Sequence, residues 1–155
     1  MMLGGLATGL GVLIAAATYY WNSRVRHAEW LASLHNKFFE ENNYKQMRWI
    51  LDYQPEEEIR ILRQCIDESV SGGSNVGDDR SQALMQALED YLNFFEFIAS
   101  LWQLRQLSLK EIRRVFDYYI LQIGDKDHQF LQPLLNDKGF ENLKKMITKI
   151  QKNST

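Results

Sequence analysis

The chain of 155 residues has one cysteine, two prolines, three histidines and no charged side chain before Arg24. Each shortage excludes something. Cys65 alone cannot close an intramolecular disulfide, which suits a reducing compartment. With so few prolines and apolar residues recurring at helical spacing, little room is left for a β fold. His27, His35 and His128 are scattered, with no His-Glu-x-x-His spacing and no cysteine partner, so zinc is not expected. No arginine stands four to six residues ahead of a histidine in the ribonuclease pattern of helical toxin domains. The turn-rich stretch from Ser71 to Arg80 is followed by no Lys-Ser/Thr pair, which argues against a phosphate loop. A net charge of -2, from 18 basic and 20 acidic residues, argues against the broad basic surface that nucleic acid requires.

What is present begins with a long apolar run. Charged residues make up 25% and hydrophobic ones 45% of the chain, and the mean hydropathy is -0.37, so the lipid-like residues are concentrated in one place. Met2 to Trp21 spans about 30 Å as a helix, the thickness of a bilayer core. Tyr19, Tyr20 and Trp21 form an aromatic belt at its end, and Arg24 and Arg26 follow, which marks a membrane interface. With no basic residue before the run, the positive-inside bias places the amino terminus outside and the following domain in the cytoplasm of the inner (cell) membrane. A secretory signal with cleavage near Ala15-Ala16-Ala17 is the competing reading, but it lacks the basic leader region such signals carry. A buried core helix is the other. Gly5 and Gly9 form a small-xxx-small pair, extended by Gly4, Gly11, Ala15 and Ala16, on which a second copy of the helix can approach closely.

The expected organisation is therefore a transmembrane anchor over 1–22 and a compact, all-α cytoplasmic domain of five to six helices over 23–155. The first helix is expected to continue to about Glu40 through Trp30, Leu31, Leu34, Phe38 and Phe39. A short helix carrying Met47, Ile50 and Leu51 should stop near Tyr53, because Pro55 disfavours helical geometry at Gln54. Pro55 opens the next helix, with Glu56, Glu57 and Glu58 in its first turn and Ile59, Leu62, Cys65, Ile66 and Val70 on its apolar face. A flexible loop is expected over 71–80. The longest pattern, Ser81 to about Gln106, places Leu84, Leu88, Tyr91, Leu92, Phe95, Ile98, Leu101 and Trp102 around most of a central helix. Asn93 and Glu96 lie inside its aromatic run, and as buried polar groups they would need partners, such as an Arg or His from another helix. Ser108 and Glu111 form a capping box for a helix to about Ile123, with Ile112, Val115, Phe116, Tyr119 and Ile120 buried. A short helix around Phe130 to Leu135 and a last helix from about Phe140 to Gln151 complete the chain. The last helix carries Lys144, Lys145, Lys149 and Lys152 opposite its apolar face, a basic surface that reads first as solvated dipole partners.

The segment Tyr44 to Asp52, together with Tyr91 to Trp102 and Ser108 to Tyr119, resembles an uncharacterised bacterial family of small helical proteins, many with one amino-terminal membrane helix. The resemblance implies a bacterial source and a helical fold, and no reaction. The outline is also similar to small accessory membrane proteins of phage-defence systems, some of which assemble into pores. No nucleophile-base pair or metal set emerges, so no cofactor and no catalysis are expected. The reading is a membrane-anchored interaction or oligomerisation module whose partners are the lipid bilayer, further copies of itself and a cytoplasmic protein. The alternative is an oligomeric membrane effector or pore.

Overall fold

The helical periodicity of the sequence is realised as seven α-helices and one 3₁₀ segment, with no strand among the described residues. The computed structural model describes residues 3–72, 78–137 and 139–152, and within 3–24 it leaves out the side chains of 3–17, 19, 20, 23 and 24. The chain divides into two units, Met1–Glu40 and Glu41–Thr155.

The first unit is a single helix, α1 (Leu3–Glu40), unbroken for 38 residues. It ends where the sequence pattern places its end. Among the described residues no helix is long and apolar enough to cross a membrane. The expectations for Gly5, Gly9, Tyr19, Tyr20 and Arg24 lie outside the residues whose side chains are described, whereas Trp21 and Arg26 are exposed.

The second unit contains α2 (Asn42–Tyr53), α3 (Glu56–Val70), α4 (Asp79–Gln103), α5 (Leu109–Ile123), the 3₁₀ segment Lys126–Leu131, α6 (Gln132–Asp137) and α7 (Glu141–Lys152). Helix α2 stops as expected: Gln54 turns into the left-handed region at φ 46°, and its N–H bonds back to the Ile50 carbonyl. Pro55 then sits at the N-cap of α3, where its missing N–H costs nothing. Helix α4 is the centre of the unit, in contact with α2, α3, α5 and α7. Tyr91, Leu92, Phe95 and Ile98 on α4 are fully buried. Phe94 and Phe95 meet Phe116 of α5 edge-on at ring separations of 5.7 and 6.0 Å, the geometry that aromatic quadrupoles prefer.

Several boundaries and faces depart from the sequence reading. Helix α4 starts at Asp79, because the Asp78 carboxylate accepts from the Ser81 N–H at 3.0 Å and so caps the helix two residues earlier than expected. The loop expected over 71–80 therefore ends before residue 79. At the other end α4 stops at Gln103 and the chain reverses through Arg105 at φ 58°. The capping box at Ser108 and Glu111 forms as expected. Lys126–Leu131 and α6 replace the short helix expected from Phe130, since Asp125 caps at Lys126 and starts the turn early. Val70 is exposed, and Cys65, Trp102, Val115 and Tyr119 are only half-buried, so the apolar faces are narrower than the periodicity implies.

Candidate interaction surface

Helix α2 buries Met47, Ile50 and Leu51, so the residues one step round its axis face water. Trp49 and Tyr53, one turn apart, keep 49% and 74% of their surface exposed, and their rings lie 6.1 Å apart at 37°. Asp52 lies on the same turn and is exposed. From α5, the Tyr118 hydroxyl donates to Asp52 Oδ1 at 2.8 Å and the Gln122 amide donates to the same oxygen at 2.9 Å. Tyr118 remains 59% exposed and stands edge-on to Tyr119 at 5.1 Å. The result is a carboxylate fixed by two neutral donors and flanked by exposed aromatic rings. The hydrogen bond to Asp52 is the main reason the Tyr118 phenol is held above the usual tyrosine range, with some burial and the Asp52 charge adding to it. Both helices that carry the cluster are held from behind by fully buried residues, Met47 and Ile50 on α2 and Ile120 on α5.

The polar pair expected on α4 separates in the structure. Asn93 is exposed, which corrects its reading as a buried contact: it falls on the solvent side of the helix although its neighbours in sequence are core. Glu96 is half-buried and does have a partner, but the partner is neither Arg nor His. Its Oε1 accepts from the Asn142 backbone N–H at 3.2 Å and the Asn142 amide at 2.7 Å, and its Oε2 accepts from the Leu143 N–H at 2.8 Å. These are the free donors of the first turn of α7. Helix α7 is preceded by Phe140, which has no capping oxygen, and Glu96 supplies one from a distant part of the chain. The arrangement is structural.

On α7, Lys145, Lys149 and Lys152 are exposed, and Lys144 is half-buried and paired with Glu141 at 2.7 Å. Lys145, Lys149 and Lys152 form a solvated stripe, opposite Leu143, Met146, Ile147 and Ile150 in the core. Beside this helix an open cleft of about 680 Å³ runs between Lys126, Gln132, Asn136 and Gln151. Four amide side chains, Gln129, Gln132, Asn136 and Gln151, share its lining with charged and apolar residues, and the Thr148 hydroxyl on its wall donates to the Lys144 carbonyl at 2.9 Å. The Cys65 thiol is raised by burial and donates weakly to the Ser81 carbonyl at 3.9 Å, which leaves it protonated and a poor nucleophile. His128 is buried. Its Nε2 donates to the Leu51 carbonyl at 3.0 Å, pinning the end of α2, and its Nδ1 has no hydrogen-bond partner among the described residues. Among the described residues no group of three or more His, Cys, Asp or Glu is placed to hold a metal ion.

Of the residues singled out from sequence, Glu96 has a partner in the structure, Asn142, which the sequence did not indicate, and the Asp52 cluster was missed. The signal was present in Trp49 and Tyr53, which repeat at i,i+4 on the face opposite Met47 and Ile50, and so cannot both be core if those are. Tyr118 had no such signal, because it adjoins Tyr119, which the same periodicity places in the core. Compared with family models, with curated proteins and with solved structures, the chain matches none.

Proposed function

We propose that this chain is a membrane-anchored interaction module: residues 1–22 hold it in a bilayer, and the helical unit from Glu41 onward binds a protein partner through the surface around Asp52. The observation that carries the binding half is the exposure of Trp49, Tyr53 and Tyr118 together in one place, since aromatic residues concentrated on a surface are characteristic of recognition sites and scattered single ones are not. Support for the anchoring half is in the sequence: no charge precedes Arg24, and Trp21 and Arg26 follow as an interfacial belt and basic flank. Arg24 and Arg26 at the carboxy-terminal end of the run favour the orientation with the domain in the cytoplasm. The unbroken backbone of α1 is consistent with a stiff connection from that run to Glu40.

Gly5 and Gly9 favour a second element of the reading, self-association through the first helix, and with it the alternative of an oligomeric membrane effector. Two measurements separate these. Alkaline carbonate extraction of membranes should leave the full-length chain in the pellet, and release into the supernatant would refute the anchor. Light scattering in mild detergent should give a discrete oligomer that Gly5→Leu with Gly9→Leu reduces to monomer. An unchanged mass in that variant would remove helix packing as the cause of assembly. A closed ring together with ion leakage on expression would favour the effector over the adaptor.

A further inference from the structure

The Asp52 cluster has a chemical preference that its aromatic exposure alone does not convey. Both neutral donors, the Tyr118 hydroxyl and the Gln122 amide, bond to Oδ1. Oδ2 accepts no hydrogen bond among the described residues, and Asp52 forms no ion pair there; Arg48, one turn earlier on α2, is half-buried and its charge acts on the Tyr91 and Tyr119 phenols from the same side of the unit. An exposed carboxylate on a helix costs nothing in water, but any partner that covers this one must compensate its charge, because a buried unpaired carboxylate is strongly unfavourable. An apolar peptide cannot do so, and a phosphate or acidic lipid headgroup is repelled. A cation is attracted twice, by the carboxylate and by the electron-rich faces of the rings.

We propose that Asp52 with the rings of Trp49, Tyr53 and Tyr118 forms a receptor for an arginine side chain presented by a partner protein. Arginine fits better than lysine. Its guanidinium is planar and weakly hydrated, so it stacks on the exposed tilted rings of Trp49 and Tyr53 while one edge donates to Oδ2. Lysine, a strongly hydrated point charge, gives up more solvation for the same contact. The site is prepared in advance: the carboxylate is already oriented by two hydrogen bonds, and both helices are anchored in the core, so little ordering is required when the guest arrives. The inference rests on the interaction-module reading and names the chemistry its partner presents.

The test uses the full-length chain in a maltoside detergent at low ionic strength, labelled with fluorotryptophan. Four tryptophans give four fluorine resonances, and Trp49→Phe assigns that of Trp49 by its loss. The probe is the blocked tripeptide Gly-Arg-Gly, with Gly-citrulline-Gly as the neutral control of the same shape. Saturable millimolar binding that moves the Trp49 resonance and leaves that of Trp102 in place is expected. Citrulline for arginine, or Asp52→Asn in the protein, should each weaken it by about fivefold or more, the size of an exposed charge-assisted cation–π contact. Tyr118→Phe, which keeps the ring and frees the carboxylate, should retain the arginine preference. Equal binding of the citrulline probe, or an unchanged affinity in folded Asp52→Asn, would overturn the proposal, as would a Trp49 resonance that arginine does not move. A stronger response to phosphocholine than to arginine would assign the site to lipid headgroups and overturn it equally. Loss of arginine binding with carbonate-resistant membrane retention intact refutes the receptor alone. Retained binding with loss of membrane retention refutes the anchor alone.

Discussion

Replacing Glu96 should detach α7 from the rest of its unit. The side chain accepts two backbone N–H groups and one amide of Asn142, at 2.7 to 3.2 Å, and no capping side chain at Phe140 takes over if it is removed. A capping oxygen is worth about 0.5 to 2 kcal/mol, and a negative charge at a helix amino terminus adds about 0.3 to 1 kcal/mol. Glu96 is half-buried, so water reaches only part of the vacated space, and leaving the Asn142 amide poorly solvated adds up to about 1 kcal/mol. Glu96→Ala should therefore cost about 2 to 3 kcal/mol. For a unit of this size that lowers the melting temperature by roughly 8 to 15 °C. Glu96→Gln keeps the shape and one acceptor but turns an N–H toward a donor, and about 1 to 2 kcal/mol is expected. The assay is thermal and urea denaturation followed by far-ultraviolet circular dichroism, with hydrogen exchange at Asn142 and Leu143 as the local readout. A loss below about 0.5 kcal/mol for Glu96→Ala, the size of an ordinary surface substitution, would refute the capping argument. Unchanged exchange at Leu143 would do the same.

Two further predictions concern Asp52 and Gly124. In an alkaline titration followed by phenolate absorbance, Asp52→Asn should move Tyr118 furthest to lower pH, because the carboxylate that accepts its hydrogen bond is gone, and should move Tyr119 and Tyr91, which the Asp52 charge also raises, by less; Tyr91 stays above Tyr118 because burial is the main cause of its shift. All three phenols have folded values above the unfolded one, so their contribution to stability is complete below the usual tyrosine value and is lost as pH rises through the folded values; a titration curve identical to that of the parent would contradict the Tyr118 bond. Gly124→Ala should destabilise by about 1 to 3 kcal/mol, because the added carbon would lie 2.5 Å from the branch methyl of Ile147 and 3.0 Å from the Gln151 amide. Chemical denaturation measures it, and Ile147→Ala in the same chain should recover part of the loss; strict additivity would exclude that contact as the cause.

How much of this was legible depended on whether the signal was local. The stop of α2 before Pro55, the capping box at Ser108 and the apolar face of α7 are set within one or two helical turns, and each was readable. The Asp78 cap was equally local and was passed over because it lay inside a glycine- and serine-rich stretch that reads as loop. Glu96 shows the opposite case. Its position among aromatic residues signalled a needed partner, and the absence of Ser, Thr, Asp or Asn at Phe140 signalled a helix needing a cap. Joining the two requires knowing that α4 and α7 pack together, which no spacing reveals. Tyr118 and Asp52 are likewise joined only by tertiary structure, 66 positions apart.

The two carboxylates, finally, separate a structural role from a recognition role by how their charge is compensated. At Glu96 both oxygens are occupied, and the positive end of α7 lies against them, so the charge is answered within the fold. A visiting cation would have to break that contact first. At Asp52 one oxygen accepts from two neutral donors, and the other accepts no hydrogen bond among the described residues. Neutral isosteres should therefore act in opposite ways at the two sites. Glu96→Gln lowers stability and leaves arginine binding intact, whereas Asp52→Asn leaves stability near that of the parent and weakens binding. If Asp52→Asn instead destabilised the chain as much as Glu96→Gln, the carboxylate would be part of the scaffold, and the rings around it would be left without a reason to select a cation.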